Sequence, residues 1–255
     1  MAKKSQPAAN SRQDKIKAAQ KASGSGVNKI TIAGIVVILA IIAVVGGVIW
    51  NQISSEQAAG SGNTEPPAGA TVEGGYRAFA DVTPVDGAPT VDLYEDFQCP
   101  VCGTMEANLG ETINELASAG EIILNYHVMN FLDAATGAEQ STPVANAAFC
   151  AADQGKWQEY HDAAFAGQIT EGQSATIEDL TGFATTAGLS GTELETWTAC
   201  AEAGKYDAYI NDSNEQAGTD GVTGTPTMRI NGEDFPTPHA ATPEQLTAAV
   251  EAATE

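Results

Sequence analysis

The chain has 255 residues, of which 43% are hydrophobic and 6% aromatic, enough for one sizeable domain with appendages. Its formal charge is −22, but the charge is uneven: Lys3, Lys4, Arg12, Lys15, Lys17, Lys21 and Lys29 face only Asp14 in residues 1–29. Beyond Lys29 only Arg77, Lys156, Lys205 and Arg229 oppose all the remaining acids, a balance that favours solubility and argues against binding nucleic acid or anionic membrane surfaces.

Residues 30–50 (ITIAGIVVILAIIAVVGGVIW) are almost wholly apolar, and no charge occurs from Ile30 to Ser55. At about 1.5 Å per residue such a helix spans roughly 30 Å, the thickness of a hydrocarbon core. The basic flank precedes it and Trp50 ends it, so residues 1–29 are expected in the cytoplasm and the rest outside. A cleavable leader usually has a shorter apolar core and a prompt small-residue cleavage site, so an uncleaved single-pass anchor in the cell membrane is the better reading. Either outcome exports the remainder. Residues 51–75, rich in Gly, Ser, Pro and Ala, read as a flexible tether, leaving 76–255 for one folded domain.

Within that domain, 90–97 (TVDLYEDF) has the composition of a strand that runs into Cys99. Helical spacing follows over 101–118 through Met105, Leu109, Ile113 and Leu116, and Gly120 stops it. Residues 121–129 (EIILNYHVM) read as a second strand, completing a βαβ unit. An inserted helical block is expected over about 140–218, with Thr142 as an N-cap before Pro143. Thr192 with Glu195 has capping-box chemistry, which Thr176 with Asp179 only approximates. A strand at 227–230, a turn at Asn231-Gly232 and a final helix over 243–253 behind Thr242 complete an α/β domain.

Cys99, Cys102, Cys150 and Cys200 are the chemical core. The pair in Cys99-Pro100-Val101-Cys102 stands where a strand meets a helix N-terminus, whose free N–H groups and dipole favour a thiolate. A lowered thiol pKa at Cys99 stabilises the dithiol and makes its disulfide the stronger oxidant. Zinc needs a second ligand pair at short spacing, and the other cysteines and His127, His161 and His239 offer none, so neither metal nor cofactor is expected. An inert disulfide is the remaining bland reading of the Cys-x-x-Cys pair.

The run YEDFQCPVC resembles the active-site segment of the DsbA-like branch of the thioredoxin superfamily. GVTGTPTMRINGE (221–233) is similar to that family's cis-proline loop, and GKWQEYHDAAF (155–165) to the start of its helical insertion. The resemblance implies a thioredoxin-like fold with an inserted helical domain, behind the transmembrane helix. It also implies that Cys99 is the exposed nucleophile and Cys102 the buried partner. By the same resemblance Pro226 is cis, and Thr225 offers its backbone to an extended substrate. Two departures stand out: Val101 replaces the histidine of the best-known oxidases, and Leu93 occupies the position where many relatives bury an acid. A carboxylate assisting Cys102 would then be Glu95 or Asp96, one of which strand alternation turns inward.

In an oxidising compartment Cys150 and Cys200 are expected to form a structural disulfide, although four cysteines permit other pairings and two free buried thiols are the alternative. His127 and His161 read as packed or structural, His239 as part of a surface loop, and Trp157 and Trp197 as core. The expected activity is oxidation of cysteine pairs in reduced secreted or unfolded polypeptides, with a membrane redox partner recycling the dithiol. The competing readings are a disulfide reductase or isomerase fed by such a partner, or a non-enzymatic anchored binding module.

Overall fold

The computed structural model describes residues 66–254. The expected cytoplasmic tail (1–29), transmembrane helix (30–50) and first part of the tether (51–65) lie outside the described residues. Among the described residues no helix is long and apolar enough to cross a membrane.

The chain runs β1 (Ala70–Thr71), β2 (Gly75–Arg77), β3 (Thr90–Glu95), α1 (Pro100–Ser118) and β4 (Ile123–Val128). Five helices and a short helical turn follow without an intervening strand: α2 (Phe131–Thr136), α3 (Ser141–Ala152), α4 (Trp157–Ala166), α5 (Ile177–Thr186), α6 (Gly191–Glu202) and α7 (Asp207–Thr219), α2 being the short one. The sheet resumes with β5 (Thr227–Ile230) and β6 (Glu233–Phe235), and a 3-10 turn (Pro238–Ala240) leads to α8 (Pro243–Ala253). The strand order is β1-β2-β4-β3-β5-β6. β3 lies at its centre, parallel to β4 through the α1 crossover and antiparallel to β5.

Register decides which side chains share a face. Leu93 opposes Tyr126 and Met228, and all three are buried in the main core, where each contributes about 1.5–3 kcal/mol if fully covered. Tyr94, one residue on, faces the other way and joins Met129, Ala217 and Val222 in a smaller cluster. Cys102, Met105, Leu109, Ile113 and Leu116 form the buried stripe of α1 that the sequence spacing marks, and Gly120 with φ of 74° turns the chain after it. Trp157 and Trp197 are buried in the core, as their helical spacing suggests.

Several local expectations need correction. Residues 70–75, read as tether, carry β1 and the start of β2: Gly75 takes φ of 68°, Thr71 Oγ1 accepts from the Gly74 N–H at 2.8 Å, and the ribbon pairs onto β4. The helices between β4 and β5 begin at Phe131, ahead of the expected 140. Thr142 is no N-cap, because α3 starts one residue earlier. Its free amides are instead met by Asp133 of α2, which accepts from the N–H groups of Gln140, Ser141 and Thr142 at 2.9, 2.7 and 2.9 Å. Thr176 and Asp179 form a full capping box, whereas α6 is entered through Ser190 and Gly191, leaving Thr192 inside the first turn with no capping role.

Cys150 and Cys200 form a disulfide that ties α3 to α6, with Cα atoms 5.8 Å apart and 50 positions between them in sequence. Closing a loop of that size constrains the unfolded chain by about 4 kcal/mol in the chain-entropy account. Replacing both cysteines by alanine is expected to lower the melting temperature by roughly 10 °C, read by circular dichroism, while leaving the alkylation rate of Cys99 unchanged.

Candidate active site

β3 ends at Glu95, and the chain turns into α1 over four buried residues, Asp96 to Cys99. The Asp96 carbonyl accepts the Cys99 N–H at 2.9 Å, and the Asp96 carboxylate accepts the N–H groups of Gln98 at 2.9 Å and Leu132 at 3.2 Å. Cys99 is the N-cap residue and Pro100 occupies the first helical position, where a missing N–H costs nothing. Both thiols are free. Cys102 is completely covered, and Cys99 is only 7% exposed, so the nucleophile expected to be exposed is largely shielded. What covers it is the loop before β5: the Thr225–Pro226 peptide bond is cis, and Thr225 O lies 3.5 Å from Cys99 Sγ.

The two sulfurs are driven apart electrostatically. A hydrogen bond from the Cys102 thiol is the largest influence lowering Cys99, against burial, which opposes it; Thr225 and the backbone N–H groups of Cys102 and Val101 add to the lowering. The result is about 6. The helix-terminus amides on which the sequence argument relied therefore contribute, but the neighbouring thiol leads. Burial pushes Cys102 well above the ordinary thiol range, and Cys99 and the Glu95 charge push it further. At neutral pH the pair holds one proton, on the inner sulfur.

Strand alternation predicts that one of Glu95 and Asp96 points inward, yet both are buried. The alternation ends with the strand, and the turn that follows is roofed by the inserted helices. Glu95 Oε2 meets His161 Nε2 of α4 at 3.0 Å, while His161 Nδ1 lies 3.6 Å from Asp162. Burial alone lowers His161, but Asp162, Glu95 and Glu106 outweigh it and raise it to about 10. Burial and the like charge of Glu95 push Glu106 well up. Burial likewise raises Asp96 to about 7 despite its hydrogen bonds. His127 lies on the opposite face, 3.1 Å from Asp92 and stacked on Tyr94, away from the thiols. His239 sits in the 3-10 turn, where its carbonyl accepts from Asn108.

The structure also recruits residues the sequence reading passed over. Gln98 is completely buried and donates to Asp133 at 3.1 Å and Ser141 at 3.0 Å, while accepting from Thr136 and the Gly172 N–H. Gln168 Nε2 donates to the carbonyls of Phe97 and Cys99, each at 2.9 Å. Gly103 makes that approach possible, since a Cβ there would stand 2.5 Å from Gln168 Oε1. The glutamines look like ordinary surface residues until the fold closes over them.

With a folded pKa near 6, below that of a free thiol, Cys99 stabilises the reduced fold at pH above about 8.5. That contribution is lost as pH falls through about 6. Iodoacetamide should therefore alkylate the reduced protein with a half-maximal rate near pH 6. The reduction potential should fall by about 59 mV per pH unit below that point and about 30 mV above it, because one fewer proton accompanies the two electrons. An alkylation midpoint like that of free cysteine would remove the basis for a poised thiolate.

Comparison with known proteins agrees with this geometry. Oxidised DsbA of Mycobacterium tuberculosis is 29% identical, with a TM-score of 0.56 over 68% of this chain and 88% of that one. Reduced DsbG of the same organism, described as a disulfide bond oxidoreductase, is 28% identical, with a TM-score of 0.57 over 73% and 88%. MdbA of Actinomyces oris, at 23% identity and a TM-score of 0.62 over 76% and 92%, shares the fold. Among curated proteins, the serine/threonine-protein kinase PknE of M. tuberculosis is 23% identical over 158 residues, a match that takes in 57% of this chain and 28% of the kinase. The chain thus spans well under half the length of that relative. Residues 85–252 match the family described as Thioredoxin, and the chain belongs to that family, in its DsbA-like branch.

Proposed function

We propose that this chain is an extracytoplasmic thiol–disulfide oxidoreductase, tethered to the membrane by residues 30–50, that oxidises cysteine pairs in reduced secreted or unfolded polypeptides. The observation that carries the reading is the division of the pair: Cys99 ionises near 6 and keeps a small opening to solvent, while Cys102 beneath it holds its proton. In the oxidised state a substrate thiolate attacks Cys99 Sγ, the Cys99–Cys102 bond breaks, and Cys102 leaves and takes up a proton. A second substrate thiolate then attacks the substrate sulfur of the mixed disulfide and Cys99 departs as a stabilised thiolate. Two electrons pass to the protein and the substrate gains a disulfide.

Thr225 and Pro226 are assigned to substrate positioning. The Thr225 main chain beside Cys99 suits an extended peptide held by backbone hydrogen bonds, which demand little of its sequence. The Val101 side chain, on a residue 41% exposed, offers that peptide an apolar contact but gives Cys99 no hydrogen bond beyond the one from its backbone N–H. Cys150–Cys200 is assigned a purely structural role. The M. tuberculosis DsbA and DsbG proteins support the oxidoreductase reading, and a membrane redox partner is the natural means of returning the dithiol to the disulfide.

The test is reoxidation of a reduced, unfolded protein by the oxidised full-length chain, with free thiols counted over time. Cys99→Ala should abolish the transfer, and an unchanged rate in that variant would sink the proposal. Val101→His should place a charged donor beside the Cys99 thiolate, lowering its pKa further and raising the reduction potential. A strongly reducing potential in the parent chain would instead assign it to disulfide reduction or isomerisation.

A further inference from the structure

Behind the dithiol, three side chains from three separate elements converge: Glu95 at the end of β3, Glu106 on α1 and His161 on α4. One ligand-capable atom from each lies within 4.8 Å of the other two. Glu95 and His161 are 3% and 1% exposed. Beyond their contact at 3.0 Å, Glu95 Oε1, Glu106 Oε1 and His161 Nδ1 are all buried without a hydrogen-bond partner. Native folds seldom leave buried polar atoms unanswered, and a carboxylate oxygen can be answered only by a donor or a cation. Among the described residues, these two glutamate oxygens have only each other's carboxyl group to meet, a pairing of like charges that a proton or a cation must bridge.

Access is provided. A cleft of about 570 Å³ opens between α1 and α4, with Glu106, Glu111, Glu115 and Asp162 on its walls and no lysine or arginine among its lining residues. A groove lined by one sign of charge concentrates counter-ions. Glu106 belongs both to that wall and to the buried cluster, so the cleft leads to it.

From these positions we infer that Glu95, Glu106 and His161 form a binding site for a first-row divalent metal cation, entered through the acidic cleft between α1 and α4. Two carboxylates and an imidazole are the donor set of such an ion. They are too few for calcium, which takes roughly six to eight oxygens. Bonds of about 2.0–2.2 Å place neighbouring ligand atoms roughly 3–3.5 Å apart, a spacing Glu106 reaches by rotating inward, since it is only partly buried. The surroundings of His161 fit the role. Metal-bound imidazoles usually direct their second nitrogen at a carboxylate, and His161 Nδ1 faces Asp162 Oδ1 at 3.6 Å. Asp162 is itself held by Gln158 at 2.9 Å and by Asn114. The sequence gives no warning of this cluster, because its members are 11 and 55 positions apart along the chain.

The experiment uses the full-length chain with Cys99 and Cys102 oxidised to their disulfide, so that no thiolate competes. Zn²⁺ is titrated by calorimetry in enough salt to screen surface acids. One Zn²⁺ per chain is expected, with Glu106→Gln and His161→Gln each weakening it by more than about tenfold. Glu111→Gln, on the cleft wall but outside the cluster, should bind like the parent chain. Co²⁺ in place of Zn²⁺ should give weak d–d absorption with no thiolate charge-transfer band, a readout of the parent chain that needs no variant. Zn²⁺ binding that Glu106→Gln leaves untouched, equal losses in Glu106→Gln and Glu111→Gln, or no saturable binding at all would each overturn the site. None of these outcomes bears on whether Cys99 exchanges disulfides.

Discussion

The end of β3 carries four polar or reactive residues in a row, Glu95, Asp96, Gln98 and Cys99 with only Phe97 between, and every one of them is buried. Removing a carboxylate or an amide from water without a partner is costly, so each must be met by another part of the chain. His161, Leu132, Asp133, Ser141 and Gln168 meet them, and all belong to the inserted helical segment. The insertion is therefore more than an appendage to the sheet. It completes the polar accounting of the active-site turn, and the position of Cys99 depends on it.

That turn in turn sets the chemistry. Two sulfurs one helical turn apart share a hydrogen bond, and burial falls unequally on them. The outer sulfur has the amides at the start of α1 and the neighbouring thiol to stabilise its charge, whereas the inner one faces the core and Glu95. The asymmetry makes one a ready leaving group and the other a proton holder. The Thr225–Pro226 loop covers Cys99, with Thr225 O 3.5 Å from its Sγ, so whatever reaches this sulfur meets that loop.

Much of this was open to inspection in the sequence because it is local. The apolar spacing of α1, the strands around Tyr94 and Tyr126, the Asn231-Gly232 turn and the capping residue Thr242 follow from periodicities and backbone preferences that neighbours along the chain decide. The errors were local rules overruled from a distance. Asp133 replaced Thr142 as the cap of α3, and a ribbon at 70–77 formed because β4 offered an open edge. Alternation misjudged Glu95 and Asp96 because a second layer of helices covers the side that alternation leaves to water.

The amino-acid sequence by itself determined the α/β class and the Cys99-Pro100-Val101-Cys102 pair at a strand–helix junction. It also supplied a 21-residue apolar stretch of membrane-spanning length ahead of the domain. These are properties of contiguous residues, and contiguous residues are what a sequence displays. Tertiary structure alone decided how far Cys99 is covered, which thiol or amide lowers its pKa most, and that Glu95, Glu106 and His161 share one buried space. Burial and electrostatic proximity depend on through-space distance between separate elements, and that distance exists only once the helices have packed against the sheet.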